Sequence, residues 1–137
     1  MAANEFVGSS EPRSLPSCGA RRNCVRDSPH GTEGSLHPIP FQAPIEQVLR
    51  VMTDALTAES RTRIVVEGRR YLRAEARSAL FRFVDDVELL ADEDAGLIHF
   101  RSSSRVGRRD FGVNRRRLRR IAALMRQRLA EIAVPVE

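Results

Sequence analysis

The chain reads as an α+β protein of two layers: a four-stranded antiparallel sheet with an N-terminal and a C-terminal helix on one face. Two observations predict this. Apolar residues recur at helical spacing near both ends, and between them lie four short runs bounded by turn residues.

Residues 1–38 come first, with Pro12, Pro16, Pro29 and Pro38 among many Gly and Ser residues and no apolar period. They read as a flexible arm, and residues 39–137 as the single α+β domain. In "PIEQVLRVMTDALT", Ile45, Val48, Leu49, Met52, Ala55 and Leu56 fall on one stripe, with Pro44 suited to the first turn. That is the first helix. The runs "TRIVVE", "YLRAEARSALF", "FVDDVELL" and "LIHFRSSS" supply the strands. In the second, Leu72, Ala74, Ala76 and Leu80 share one face while Tyr71, Arg73, Glu75 and Arg77 share the other, so one side of the sheet is expected to be wet. The acid-rich "ADEDAG" suits a hairpin loop in which Gly96 takes a positive φ. Leu118, Ile121, Ala122, Met125, Leu129 and Ile132 mark the closing amphipathic helix, with Asn114 as its N-cap and its end near Pro135.

A length of 137 residues suits one domain with a modest core, and 42% hydrophobic against 30% charged residues excludes a wholly disordered chain. The net charge is +5, and with no lysine present every permanent cation is a guanidinium fork. No stretch reaches the length of a membrane span and the start lacks the charge and apolar pattern of a secretion signal, so the default expectation is a cytoplasmic protein. Cys18 and Cys24 are too few for a disulfide scaffold and lie outside the segment expected to fold, which leaves their redox state open.

Charge is segregated along the chain. From Arg101 to Arg128 eleven arginines face one acid, Asp110, whereas from Arg82 to Asp94 one arginine faces six acids. If Asn114 caps the closing helix, Arg115, Arg116 and Arg117 occupy its first turn, where a cation is disfavoured by about 0.3–1 kcal/mol at an exposed site. Two compensations are open. Carboxylates of the acidic strand, Asp85, Asp86 and Glu88, could fold across into a guanidinium–carboxylate network, the commoner arrangement. Alternatively an external anion, phosphate or carboxylate, could be held by Arg101, Ser102, Ser104, Arg105, Asn114, Arg115 and Arg117, with Asp110 as an orienting acceptor.

These same residues resemble the family known as domain of unknown function 1499. The resemblance rests on "GRRYLRAEARSALFRFVDDVEL" and "RSSSRVGRRDFGVNRRRLRRI", and more weakly on "NCV" at Asn23 to Val25 and "HPIPF" at His37 to Phe41. It implies a fold group without an agreed activity. Arg108 stands where the family pattern usually shows an aromatic, and "RNCVRDS" where relatives often read Pro-Asn-Cys-Val-Ser-Ser.

Other motifs fail on chemistry. Gly107 and Gly112 have Walker spacing, but Val113 and Asn114 follow instead of Lys and Ser/Thr, so they read as turn residues. Cys18, Cys24, His30 and His37 are spaced too widely for a short zinc knuckle, so no metal site is expected. His99 lacks a nucleophile motif, and adjacent Asp85 and Asp86 must point to opposite faces of a strand, so no acid/base pair and no cofactor site is expected. The sequence therefore implies a small binding or scaffold module and no enzyme. Its rival is non-specific binding of nucleic acid or of an anionic membrane surface through the Arg-rich closing helix. Specific base readout is disfavoured, because one tyrosine and no tryptophan leave little to stack on bases.

Overall fold

The structure, a computed structural model, describes residues 11–28, 36–80, 83–106 and 112–132. Along them run β1 (Cys24–Arg26), β2 (Ile39–Pro40), α1 (Ile45–Thr57), β3 (Thr62–Glu67), β4 (Tyr71–Arg77), β5 (Val84–Asp92), β6 (Leu97–Ser104) and α2 (Val113–Ile132). The strands form one sheet in the order β1-β6-β5-β4-β3, with β2 also on β6, and the pairs are antiparallel.

The sheet thus has six strands instead of four. Both additions pair with the outer edge of β6, Ile39 opposite Ile98 and Cys24 opposite Ser103. Strands of three and two residues are too short to show alternation, so only their partner reveals them. They cover an edge that would otherwise expose unpaired backbone groups.

One face of the sheet is apolar because the pleat sends alternate residues to the same side. Leu72, Ala74 and Ala76 of β4, Val87, Leu89 and Ala91 of β5, and Ile98 and Phe100 of β6 meet Val48, Met52 and Leu56 of α1 and Leu118, Ile121 and Met125 of α2 in a single core. α1 touches β3, β4 and β5, while α2 touches β6 and β1, and the two helices touch each other. Leu80 departs from the expected alternation. The ladder ends at Arg77 opposite Val84, and Ser78 N donates to Phe83 O at 2.9 Å to close the turn. Ala79 and Leu80 form a turn outside the pleat, and Leu80 is 79% exposed.

The second face is covered in part by the segment expected to be a flexible arm. Leu15 packs with Tyr71 and Leu90, Glu11 Oε1 accepts the Arg70 N–H at 2.8 Å, and Arg26 Nη1 donates to Leu15 O at 2.6 Å. A disulfide between Cys18 and Cys24 ties this segment to β1, so both cysteines belong to the folded unit. Residues 11–28 are anchored by partners far away in sequence, which local periodicity does not register. Gly96 takes φ +69°, and its N–H donates to Asp92 O at 2.8 Å, as the hairpin requires. At the start of α2, Arg116 N donates to Gly112 O at 3.0 Å. Gly112, at φ +82°, therefore precedes the first turn where Asn114 was expected, and Asn114 lies inside the helix.

Phe100 is fully buried at the middle of this core. Phe100→Ala is expected to lower unfolding free energy by about 3–5 kcal/mol, measured by urea denaturation. A midpoint shift corresponding to less than about 1 kcal/mol would mean that the two helices do not share one core with the sheet.

Candidate functional site

Adjacent Asp85 and Asp86 on β5 are sent to opposite faces of the sheet by the strand's two-residue period. Each collects a different set of arginines. The candidate donors named from sequence are consequently divided between two clusters.

The first cluster lies between sheet and α2. Asp85 follows the same parity as Val87 and Leu89, and Ser102 and Ser104 continue the face of Ile98 and Phe100, so all three meet the amino end of α2. Arg117 Nη1 donates to Asp85 Oδ2 at 2.9 Å, to Asn114 Oδ1 at 2.9 Å and to Ser102 Oγ at 3.1 Å. Ser102 Oγ donates to Asn114 Oδ1 at 2.5 Å. Asn114 Nδ2 in turn donates to Ser104 Oγ at 3.0 Å and to Asn23 O at 3.2 Å. This assignment of the amide is the consistent one, because exchanging O and N would set two donors against the guanidinium. Ser102 and Asn114 are wholly buried, and the Arg117 and Asp85 side chains retain only 9% and 11% of their exposure. Asn114 is therefore a bridge between β6, the Asn23 backbone and α2.

The second cluster lies on the other face. Glu88 accepts the Tyr71 hydroxyl at 2.7 Å and Arg101 Nη1 at 3.1 Å, and Arg101 Nη1 also reaches Ser103 Oγ at 3.2 Å. Beside it, Arg105 grips Asp86 at two points, Nε to Oδ2 at 2.9 Å and Nη2 to Oδ1 at 2.8 Å, and reaches Glu75 Oε2 at 2.6 Å. Arg73 Nη1 donates to Asp86 Oδ1 at 3.0 Å. Burial works against ionisation of Asp86, but the Arg105 and Arg73 guanidiniums outweigh it and hold its carboxyl below the ordinary carboxylate range. Burial first, then the hydrogen bond and charge of Glu88, push the Tyr71 hydroxyl far above its ordinary value, so it stays a donor.

Ser102, Ser104, Asn114 and Arg117 are thus brought together, while Arg101 and Arg105 stand on the opposite face. Arg115 is half-buried on the flank of α2. Asp110, the expected orienting acceptor, lies outside the described residues, as do Gly107 and His30. Tyr71, Arg73, Glu75 and the Asn23 carbonyl also belong to the clusters. The first three were visible as the charged side of β4, and the register that sets Arg73 opposite Glu88 and Glu75 opposite Asp86, with Tyr71 diagonal to Glu88, supplies the missing link. Nothing in the sequence marks the Asn23 carbonyl. No motif marks Asp27 either: its carboxylate accepts Phe100 N at 2.9 Å and lies 2.8 Å from His99 Nδ1. Among the described residues no set of three His, Cys, Asp or Glu side chains is placed to hold a metal, and no helix is long and apolar enough to cross a membrane. What the arrangement does chemically is neutralise guanidiniums in place, which fixes the start of α2 on the sheet.

Residues 14–125 match the model of a family described as protein of unknown function (DUF1499). No curated protein matches the chain.

Two outcomes test the clusters. Asp85→Ala leaves the Arg117 charge buried and is expected to cost about 3–5 kcal/mol in urea unfolding, whereas Asp85→Leu with Arg117→Met recovers most of the loss. An unchanged midpoint in Asp85→Ala would show that the pair is solvated. For pH, the Asp86 carboxyl is lowered from an ordinary 3.8, so its stabilisation is complete above about pH 4 and disappears as pH falls through the depressed value. Asp86→Asn is expected to flatten the acid limb of a melting-temperature profile. An acid limb identical to that of the parent chain would contradict the assignment.

Proposed function

The chain belongs to the DUF1499 family, whose description assigns no activity, and from its own geometry we propose that it is a binding module for phosphate-bearing anionic surfaces and not an enzyme. One observation carries the reading: α2 sorts its arginines by face. Its twenty residues hold seven arginines against one acid, Glu131. Arg117 turns inward to Asp85, while Arg116, Arg119 and Arg126 lie on the exposed side. Leu118, Ile121, Ala122, Met125 and Leu129 are buried, so α2 does not lay an apolar stripe into lipid and contributes through charge. Internal pairing of Arg101, Arg105 and Arg117 supports their role as scaffold, holding the exposed arginines in a fixed array. The Cys18–Cys24 disulfide supports a compartment that keeps thiols oxidised rather than the cytoplasm.

A second reading, a single phosphate or carboxylate held by the Arg/Ser/Asn segment, is favoured by one atom. Among the described residues, Arg101 Nε is buried with no hydrogen-bond partner, a donor that a small anion or a water would satisfy.

Binding of the intact chain to duplex DNA and to vesicles of phosphatidylglycerol in phosphatidylcholine, each across a salt series, tests the main reading. Both are expected to weaken steeply with salt. Substituting Arg116, Arg119 and Arg126 together by Gln is expected to lower the DNA salt slope by about 3, about one per phosphate contact. Salt-independent binding, or slopes untouched by the three substitutions, would remove α2 as the contact. Saturable thermal stabilisation by inorganic phosphate, lost in Arg101→Met, would favour the single-anion reading instead.

A further inference from the structure

Four large apolar side chains are exposed among the described residues: Leu80 at 79%, Val106 at 53%, Phe83 at 51% and Val113 at 37%. Their positions along the chain differ, yet the topology gathers them at one end of the molecule. The β4–β5 turn carries Leu80 and Phe83, and the antiparallel register sets Asp85 opposite Ser104, so β6 finishes beside that turn. Arg105 N donates to Val84 O at 3.1 Å, which places Val106 next to Phe83. Val113 opens α2, whose first turn is tied to Ser102 and Ser104 at this same end. Exposed apolar residues gathered at a single end have the character of a contact surface.

The charge around this end is basic. Arg61 O accepts Arg77 N at 2.9 Å, so the start of β3 lies beside the turn, and a groove lined by Arg61, Arg63, Arg77, Ser78 and Ala79 runs along it. Glu75 also lines that groove, but Arg105 holds it at 2.6 Å and Arg77 at 3.7 Å. Arg21 is exposed here too, its Nη2 donating to Ser104 O at 2.7 Å. The far end of the sheet is opposite in sign. The cleft there is lined by Glu11, Asp92, Glu93 and Asp94 against Arg13 and Arg70, with Arg70 paired to Glu93 at 2.9 Å, so acids remain in excess.

We infer that this apolar, arginine-rimmed end docks on an anionic phospholipid bilayer, with Leu80 and Phe83 entering the acyl boundary and Arg61, Arg77 and Arg116 meeting the headgroup phosphates. The inference rests on reading the domain as a module for anionic surfaces and names which surface. Nucleic acid accounts for the arginines but gives exposed Leu and Val nothing to contact, since a phosphate backbone offers no apolar layer. A bilayer supplies both. The acidic far end is repelled from the same membrane, which sets the orientation.

The chain contains no tryptophan, so Phe83→Trp creates a single emitter at the proposed insertion point. With vesicles of phosphatidylglycerol in phosphatidylcholine, its emission is expected to move to shorter wavelength and to be quenched by brominated acyl chains; duplex DNA is expected to bind without either effect. Leu80→Ser with Phe83→Ser, both at exposed positions, is expected to weaken vesicle binding about tenfold or more while leaving DNA binding and the circular dichroism spectrum unchanged. Vesicle binding that the Arg116, Arg119 and Arg126 substitutions abolish but that gives no tryptophan shift would overturn insertion and leave the electrostatic reading standing. DNA binding without vesicle binding would do the same. A shift that appears without vesicles and grows with protein concentration would assign this end to self-association and overturn the bilayer. Binding to neither surface would end both readings.

Discussion

The buried pairing of Asp85 with Arg117, closed by Asn114 and two serines, decides where the amino end of α2 rests on the sheet. A carboxylate in an apolar layer is costly unless a charge and further donors meet it, and a guanidinium there is equally costly alone. Each makes the other tolerable. Asn114 then uses both ends of its amide, accepting from Ser102 and Arg117 and donating to Ser104 and Asn23, so the helix, β6 and the segment before β1 are locked in one arrangement. A purely apolar contact would hold the helix as well but would tolerate sliding. The directional bonds do not.

From that lock the distribution of charge follows. Arg117 is neutralised between sheet and helix, Arg120 and Arg128 pair with Glu59 and Asp54 in and just after α1, and Arg116, Arg119 and Arg126 lie exposed on a helix whose apolar stripe is seated in the core. The start of α2, the end of β6 and the β4–β5 turn are brought to one end by the same register. Basic groups and the exposed apolar side chains therefore share that end, while the acidic β5–β6 turn is carried to the other. The polarity of the molecule is a consequence of hairpin topology, since each antiparallel turn reverses the chain and sends successive loops to opposite ends.

The second face shows how a folded segment can be local in position and non-local in cause. Residues 11–28 lack an apolar period, yet Leu15, Glu11 and Arg26 each find a partner on β4, β5, the β3–β4 turn or the segment itself, and the Cys18–Cys24 disulfide ties the segment to β1. Tyr71, Glu88 and Arg101 are buried beneath an architecture that this segment helps to complete.

Periodicity by itself determined both helices, the four longer strands, the apolar face and the opposite orientation of Asp85 and Asp86, because each depends on residues within one turn or one pleat of each other. The positive φ of Gly96 was legible for the same local reason. Only the tertiary structure decided that β6 has two further short partners, that Leu80 falls outside the pleat, that Gly112 precedes α2 while Asn114 is buried in it, and that the arginines divide between two faces. These depend on register between segments tens of residues apart, and a single strand carries no record of what lies across from it.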